Sequence, residues 1–108
     1  MSVAATSNDD RALYAGRNGT IVREFAICNS KGLHARASAK FVQTVEQFDA
    51  EVTVTRCGET VGGTSIMGLM MLSAACGCSI TVEASGPEAA EVMAALETLI
   101  GSRFGEDD

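Results

Sequence analysis

The sequence predicts an α+β fold in which three helices cover one face of a mostly antiparallel, four-stranded sheet. Three observations support this prediction. Four segments alternate apolar and polar residues with the period of a half-buried strand, and three segments repeat apolar residues at the spacing of a helix face. Cys57-Gly58, between two of the strand segments, offers a two-residue hairpin turn. The expected order is therefore strand, helix, strand, strand, helix, strand, helix.

The first strand and the first helix are predicted from contrasting periodicities. The strand begins at Thr20, and its alternation directs Phe25 and Ile27 toward the core. Turn-forming residues at positions 29–32 end it. Apolar residues then recur at spacings of four, four and three, which places them on one stripe of a helix, formed by Ala37, Phe41, Val45 and Phe48.

The middle of the chain is predicted to form a hairpin and then a short helix. The valines of segment 51–55 alternate with polar residues, and the returning strand ends at Gly62-Gly63. Thr64-Ser65 is a helix-start signal. The helix is expected to span residues 66–75, to be rich in methionine and to be closed by Gly77.

One more strand and one more helix complete the predicted domain. Ile80 and Val82 alternate with polar neighbours, which indicates a strand. Pro87 lies where the first turn of the last helix is expected. Proline is tolerated there because an N–H in the first turn has no partner within the helix. The apolar stripe of this helix consists of Val92, Leu96, Leu99 and Ile100.

The composition is that of a single globular domain. The chain has 108 residues, of which 46% are hydrophobic and 20% charged, which is too apolar for a disordered protein. We divide it into a flexible N-terminal extension (1–19), a folded domain (20–103) and an acidic tail (104–108). The net charge of -6 disfavours binding to nucleic acid or to anionic membranes, whereas a basic partner surface is a better match.

We expect a cytoplasmic protein with no membrane insertion. The first ten residues lack a basic start and an apolar segment, and the strongly apolar stretch 66–75 is far shorter than the ~20 residues that a bilayer requires. The cysteines are then reduced thiols that serve as compact apolar side chains. A metal site is the alternative, but the spacing matches no common zinc pattern and we expect no metal ligands among Cys28, Cys57, Cys76 and Cys78.

His34, the only histidine, lies in Gly32-Leu33-His34-Ala35-Arg36 at the entrance of the first predicted helix. Unpaired backbone N–H groups and the positive end of the helix dipole stabilise an anion at such a position. Arg36 adds a cation that suits phosphate oxygens. The pattern therefore indicates phosphoryl chemistry on the imidazole. The alternative is a histidine that only caps the helix.

Two motifs together resemble the HPr phosphocarrier family of the phosphoenolpyruvate-dependent phosphotransferase system. The first is Gly32-Leu33-His34-Ala35-Arg36-Ala37-Ser38, and the second is Ser65-Ile66-Met67-Gly68-Leu69-Met70. The likeness covers roughly Thr20 to Arg103. It implies an HPr-like open-faced β-sandwich and a monomeric carrier that needs no cofactor and is not an enzyme with its own turnover.

The resemblance also implies partners and roles for the first motif. Enzyme I would phosphorylate Nδ1 of His34, and an enzyme IIA domain would accept the phosphoryl group. Arg36 would compensate the charge of the phosphoryl oxygens. Ala37 departs from the family, which frequently has proline there, and leaves one more backbone N–H in the first turn. We expect this difference to alter the lifetime of phosphohistidine modestly.

The second motif carries a regulatory and a docking hypothesis. Ser65 corresponds to the serine that HPr kinase/phosphorylase modifies in some family members, although it also suits a plain helix N-cap. By resemblance, Ile66, Met67 and Met70 form an apolar patch that enzyme I and enzyme IIA contact. The alternative is that these side chains only fill gaps in the core.

Three functions remain open at this point. The first is a phosphocarrier, in a sugar or a nitrogen-related phosphotransferase system. The second is an HPr-like regulatory protein that acts by phosphorylation-dependent binding of its partners. The third is a small interaction module in which His34 is structural. The sequence does not distinguish the sugar branch from the nitrogen branch.

Overall fold

The computed structural model describes residues 20–106 and confirms the predicted order of elements. The elements are β1 (Ile21–Ala26), α1 (Ala35–Glu46), β2 (Glu51–Arg56), β3 (Glu59–Gly62), α2 (Ile66–Met71), β4 (Ser79–Ser85) and α3 (Ala89–Gly101), followed by a 3-10 turn at Arg103–Gly105. The predicted N-terminal extension, residues 1–19, lies outside the described residues. No helix within residues 20–106 is long and apolar enough to cross a bilayer.

The four strands form one antiparallel sheet in the order β1-β4-β2-β3. Its register aligns the apolar positions of neighbouring strands. Val54 on β2 lies opposite Val82 on β4 and opposite Val61 on β3, and Phe25 on β1 lies opposite Ile80. Since side chains alternate across a strand, this register collects the apolar side chains on one face of the sheet.

The core lies between that face and the helices. The predicted stripe of α1 is buried at Ala37, Phe41 and Val45, and α3 buries Val92, Met93, Leu96 and Ile100. Ile27 is fully buried, as its alternation predicted, and Phe25 is half-buried against the core. The predicted α+β architecture is therefore confirmed.

Helix α2 is shorter than predicted. It ends at Met71 instead of continuing to residue 75, because the backbone turns at Ser73, whose φ is 56°. The amides of Leu72 and Ser73 bond three residues back, to Leu69 and Met70, which tightens the last turn. The carbonyl of Ala74 is then free to accept the amide of Leu33 from another part of the chain. A tertiary contact thus uses a segment that the apolar pattern assigns to the helix.

The segment that follows α3 packs against the domain. The sequence assigns residues 104–108 to an acidic tail. In the structure, Phe104 is fully buried and its carbonyl accepts a hydrogen bond of 2.5 Å from Nζ of Lys40 on α1. Residues 107–108 lie outside the described residues. The buried ring and the lysine together direct the chain back toward the beginning of α1.

Candidate functional site

The turn before α1 requires glycine at position 32. Gly32 has a φ of 66°, which is the left-handed region, and a Cβ there would lie 2.2 Å from the carbonyl oxygen of Ala74. The turn is held by hydrogen bonds from the amide of Gly32 to Asn29 (3.1 Å) and from the amide of Leu33 to Ala74 (2.9 Å). The backbone therefore enters α1 at a defined point, with His34 next in line.

His34 is the N-cap of α1. Its backbone is extended, with φ -74° and ψ -177°, and its Nδ1 accepts a hydrogen bond of 3.2 Å from the amide of Arg36. Its carbonyl accepts the amide of Ser38 at 2.8 Å. The imidazole exposes 25% of its surface. Nδ1 is thus directed at a first-turn N–H, and solvent reaches the ring.

The other ring nitrogen of His34 contacts Glu106. Nε2 is hydrogen-bonded to Oε2 of Glu106, whose side chain is only 10% exposed. The second carboxylate oxygen, Oε1, accepts a hydrogen bond of 3.0 Å from Nδ2 of the fully buried Asn29. The same Nδ2 also donates to the carbonyl of Gly32 at 2.8 Å. Asn29 therefore links the carboxylate to the glycine turn.

Sequence reasoning missed both Asn29 and Glu106 as parts of this site. The sequence pattern assigns Asn29 to the turn after the first strand and Glu106 to the acidic tail. The contact between His34 and Glu106 joins residues that are 72 positions apart. No local periodicity in the sequence can predict such a contact. One signal was present in the segment 104–108. Its single aromatic residue, Phe104, is of a type that is usually buried, which indicates a segment packed against the domain.

Arg36 lies in the first turn of α1 and is exposed. Its guanidinium has no hydrogen-bond or ion-pair partner among residues 20–106. Its amide is already bonded to Nδ1 of His34. The residue therefore brings a backbone donor to the imidazole and a solvated cation to the same helical turn.

The second motif forms the exposed beginning of α2. Ser65 is its N-cap, and Oγ accepts a hydrogen bond of 2.9 Å from the amide of Gly68. Leu69 is fully buried, whereas the remaining large side chains of the helix are exposed, by 72% at Met67 and by a smaller fraction at Ile66, Met70 and Met71. The structure thus favours a surface position over core filling for the three predicted patch residues, Ile66, Met67 and Met70.

The patch and His34 lie on neighbouring elements. Helix α2 packs against α1, and the loop after α2 binds the turn before His34 through the bond from Leu33 to Ala74. The two sequence motifs are therefore brought to the same end of the molecule. Gly68 packs closely there, since a Cβ at this position would lie 3.0 Å from Val61 and from the hydroxyl of Ser65.

The cysteines are free thiols, and Cys78 differs from the others. A hydrogen bond with the backbone of Ala75 and the guanidinium of Arg56, whose Nη2 lies 3.3 Å from Sγ, lower the pKa of Cys78 below its usual value. Cys28, Cys57 and Cys76 are exposed. Within residues 20–106, no three candidate ligands are close enough together to hold a metal ion.

Comparisons with known proteins identify the family and agree with the fold. The family model described as the PTS HPr component phosphorylation site matches residues 21–102. Phosphocarrier protein HPr of Neisseria meningitidis is 55% identical over 82 residues, which are 76% of this chain and 92% of that protein. Phosphocarrier protein NPr of Shewanella violacea is 36% identical over 84 residues, 78% of this chain and 92% of that protein.

A solved structure agrees with the sequence matches. The crystal structure of HPr-C-His from Thermoanaerobacter tengcongensis superposes with a TM-score of 0.77 at 38% identity, covering 81% of this chain and 98% of that one. The residues that the family model matches, 21–102, contain both motifs and all four strands and three helices. The chain therefore belongs to the HPr family of phosphotransferase-system components.

Proposed function

We propose that this protein is a phosphocarrier that accepts a phosphoryl group from phosphorylated enzyme I on Nδ1 of His34 and passes it to an enzyme IIA domain. The observation that supports this most strongly is the placement of Nδ1 at the entrance of α1, beside the amide of Arg36 and on a ring that is 25% exposed. The family to which the chain belongs supports the same role. The protein is a covalent intermediate and not an enzyme.

The transfer needs one lone pair and several donors. The lone pair on Nδ1 attacks phosphorus while the bond between phosphorus and the donor atom breaks. In the second transfer the acceptor attacks phosphorus while the bond from phosphorus to Nδ1 breaks. The amide of Arg36 is released from Nδ1 and can donate to a phosphoryl oxygen instead. The helix N-terminus stabilises the added negative charge, and the solvated guanidinium of Arg36 provides a mobile cation.

The exposed side chains of α2 are the proposed docking surface. Ile66, Met67 and Met70 are apolar and exposed, and they lie on a helix that packs against α1 and whose following loop binds the turn before His34. Unbranched methionine side chains adapt to more than one partner, which suits a carrier that binds a donor and an acceptor in succession. A partner with an apolar contact surface and a basic rim would complement this acidic protein.

Ser65 is a candidate for regulatory phosphorylation by an HPr kinase/phosphorylase. The residue is exposed, and its hydroxyl caps α2 by accepting a hydrogen bond from the amide of Gly68. A phosphate there adds about two negative charges at the edge of the apolar surface, which would weaken docking. The alternative function, a regulatory HPr-like protein, uses the same residues, since phosphorylation at His34 or Ser65 would change which partners bind.

Incubation with enzyme I and phosphoenolpyruvate tests the proposal. Wild-type protein should acquire an acid-labile, alkali-stable phosphate, and His34→Ala should acquire none. Circular dichroism of His34→Ala checks that the variant folds. A wild-type protein that remains unphosphorylated would contradict the carrier function.

A second experiment identifies the acceptor. Phosphorylated protein is offered to enzyme IIA domains of sugar permeases and of the nitrogen-related branch, and the rate of loss of phosphohistidine is measured for each. Rapid transfer to one class assigns the branch. Phosphorylated protein that transfers to neither class, but binds other proteins only in the phosphorylated form, would favour the regulatory alternative.

A further inference from the structure

The segment from Arg103 to Glu106 is built to deliver one carboxylate to His34. Phe104 is fully buried and thereby anchors the segment, and Lys40 on α1 binds the Phe104 carbonyl. Gly105 follows with a φ of 73°, which turns the chain toward the beginning of α1. The carboxylate of Glu106 then lies almost buried, between Nδ2 of Asn29 and Nε2 of His34.

The partners of the two ring nitrogens determine which nitrogen carries the proton. Nδ1 faces a backbone N–H and can only accept, so it must present its lone pair. Nε2 faces a carboxylate and must donate. Both contacts therefore select the same neutral tautomer of His34, with hydrogen on Nε2 and the lone pair on Nδ1.

We propose that Glu106, oriented by Asn29, is a positioning residue for phosphoryl transfer through Nδ1 of His34. The inference rests on the proposed function. Glu106 does not touch the phosphoryl group, because it lies on the opposite nitrogen of the ring. It holds the ring in the orientation that presents Nδ1, and it keeps Nε2 from reacting by occupying it.

The charge changes during transfer give the carboxylate a second effect. When Nδ1 bonds to phosphorus, Nε2 keeps its proton, so the ring becomes cationic while the donor leaves with the electron pair of its broken bond. The carboxylate of Glu106 stabilises that cation. When the acceptor attacks phosphorus, the electron pair of the nitrogen–phosphorus bond returns to Nδ1 and the ring leaves as neutral imidazole. Glu106 thus acts on both halves of the carrier cycle.

Kinetics with enzyme I separate positioning from docking. Glu106→Ala should lower kcat for phosphorylation by about 10- to 100-fold, by analogy with the loss seen when the carboxylate behind a metal-bound histidine is removed. KM should not change, because the side chain of Glu106 is almost buried and does not belong to the exposed surface of α2. Glu106→Gln keeps an oxygen that accepts from Nε2 but lacks the charge. Its kcat should therefore lie between those of wild type and Glu106→Ala. Glu91→Ala, at an exposed position of α3, is the matched control and should behave as wild type.

Phosphoramidate tests the same residue without any protein partner. It donates its phosphoryl group to imidazole while its nitrogen–phosphorus bond breaks and ammonia leaves. Because His34 is the only histidine, every phosphohistidine signal in nitrogen and phosphorus NMR belongs to it. Wild-type protein should be phosphorylated at Nδ1 alone. Glu106→Ala should also accumulate the Nε2 product, since that nitrogen is no longer occupied.

The inference is overturned if Glu106→Ala retains full selectivity for Nδ1 with phosphoramidate, or if it raises KM for enzyme I without lowering kcat. A structural role alone would lower stability without moving the regiochemistry, and Glu106→Gln, which is nearly the same size, controls for folding. If enzyme I does not phosphorylate the wild-type protein, the proposed function fails, and the reaction with phosphoramidate still decides the role of Glu106.

Discussion

The two sides of the His34 ring are built in different ways. The Nδ1 side consists of residues adjacent in the chain, where Gly32 sets the turn, His34 caps α1 and the amide of Arg36 follows within the first helical turn. The Nε2 side consists of Glu106, 72 positions away, held by Asn29 and by the anchored Phe104. Local geometry thus specifies the helix entrance that Nδ1 faces, whereas the tertiary fold specifies how the ring is held on its other side.

The largest expected effect comes from removing the anchor of the Nε2 side. Phe104→Ala deletes a fully buried ring and should lower the free energy of unfolding by about 3–5 kcal/mol. Urea unfolding measures this loss. Phe25→Ala removes the same group from a half-buried position and should cost less. Equal losses at the two positions would mean that the segment after α3 is not anchored in the core.

On the Nδ1 side, the largest loss of stability is expected from a substitution at Gly32. Gly32→Ala forces a side chain into the left-handed region and against the carbonyl oxygen of Ala74, and it should cost more than the ~1–2 kcal/mol of the backbone strain alone. Gly58→Ala is the matched control, because Gly58 has a φ of 80° but open space around a Cβ. Chemical unfolding of both variants separates the clash from the strain. Similar losses would contradict the close approach at Ala74.

A smaller effect is expected from loosening the Nε2 side without emptying the core. Lys40→Met keeps the aliphatic stem but removes the donor to the Phe104 carbonyl, which should cost roughly 1–2 kcal/mol. Since Glu106 is then held less firmly, the rate of phosphorylation at saturating phosphorylated enzyme I should fall a few-fold. Single-turnover kinetics measure this rate. A rate equal to wild type in a destabilised variant would show that the lysine supports the fold and not the histidine.

The smallest effect is expected within the first turn of α1. Ala37→Pro removes one N–H near the phosphoryl site, and we expect a modest change in the hydrolysis rate of phosphohistidine. The rate is measured for both phosphorylated proteins after removal of the donor. Identical rates would eliminate a contribution of the Ala37 amide to the Nδ1 side.

Much of the Nδ1 side could be predicted because its contacts are short in sequence. The glycine, the histidine and the helix start form one uninterrupted pattern, and backbone geometry alone brings them together. The exposed methionines of α2 were also predictable, since a short helix with Leu69 and Leu72 in the core must leave other sides in solvent. Their roles in binding partners remain predictions.

The end of α2 and the position of Glu106 could not be predicted, for a common physical reason. The apolar pattern continues past Met71, but the Ala74 carbonyl bonds to Leu33, a contact that exists only after α1 and α2 have packed. The charged residues after Phe104 have the composition of a solvated tail. The carboxylate reaches the imidazole only because the Phe104 ring is buried, and no local periodicity predicts that burial.

The amino-acid sequence by itself determined the order of the elements, the antiparallel α+β architecture and the position of His34 at the start of α1, because each depends on periodicities and turns that span a few residues. Tertiary structure alone decided which carboxylate lies against Nε2 of His34 and where α2 ends. Those features depend on contacts between distant segments, whose free energy is realised only when the core closes around them.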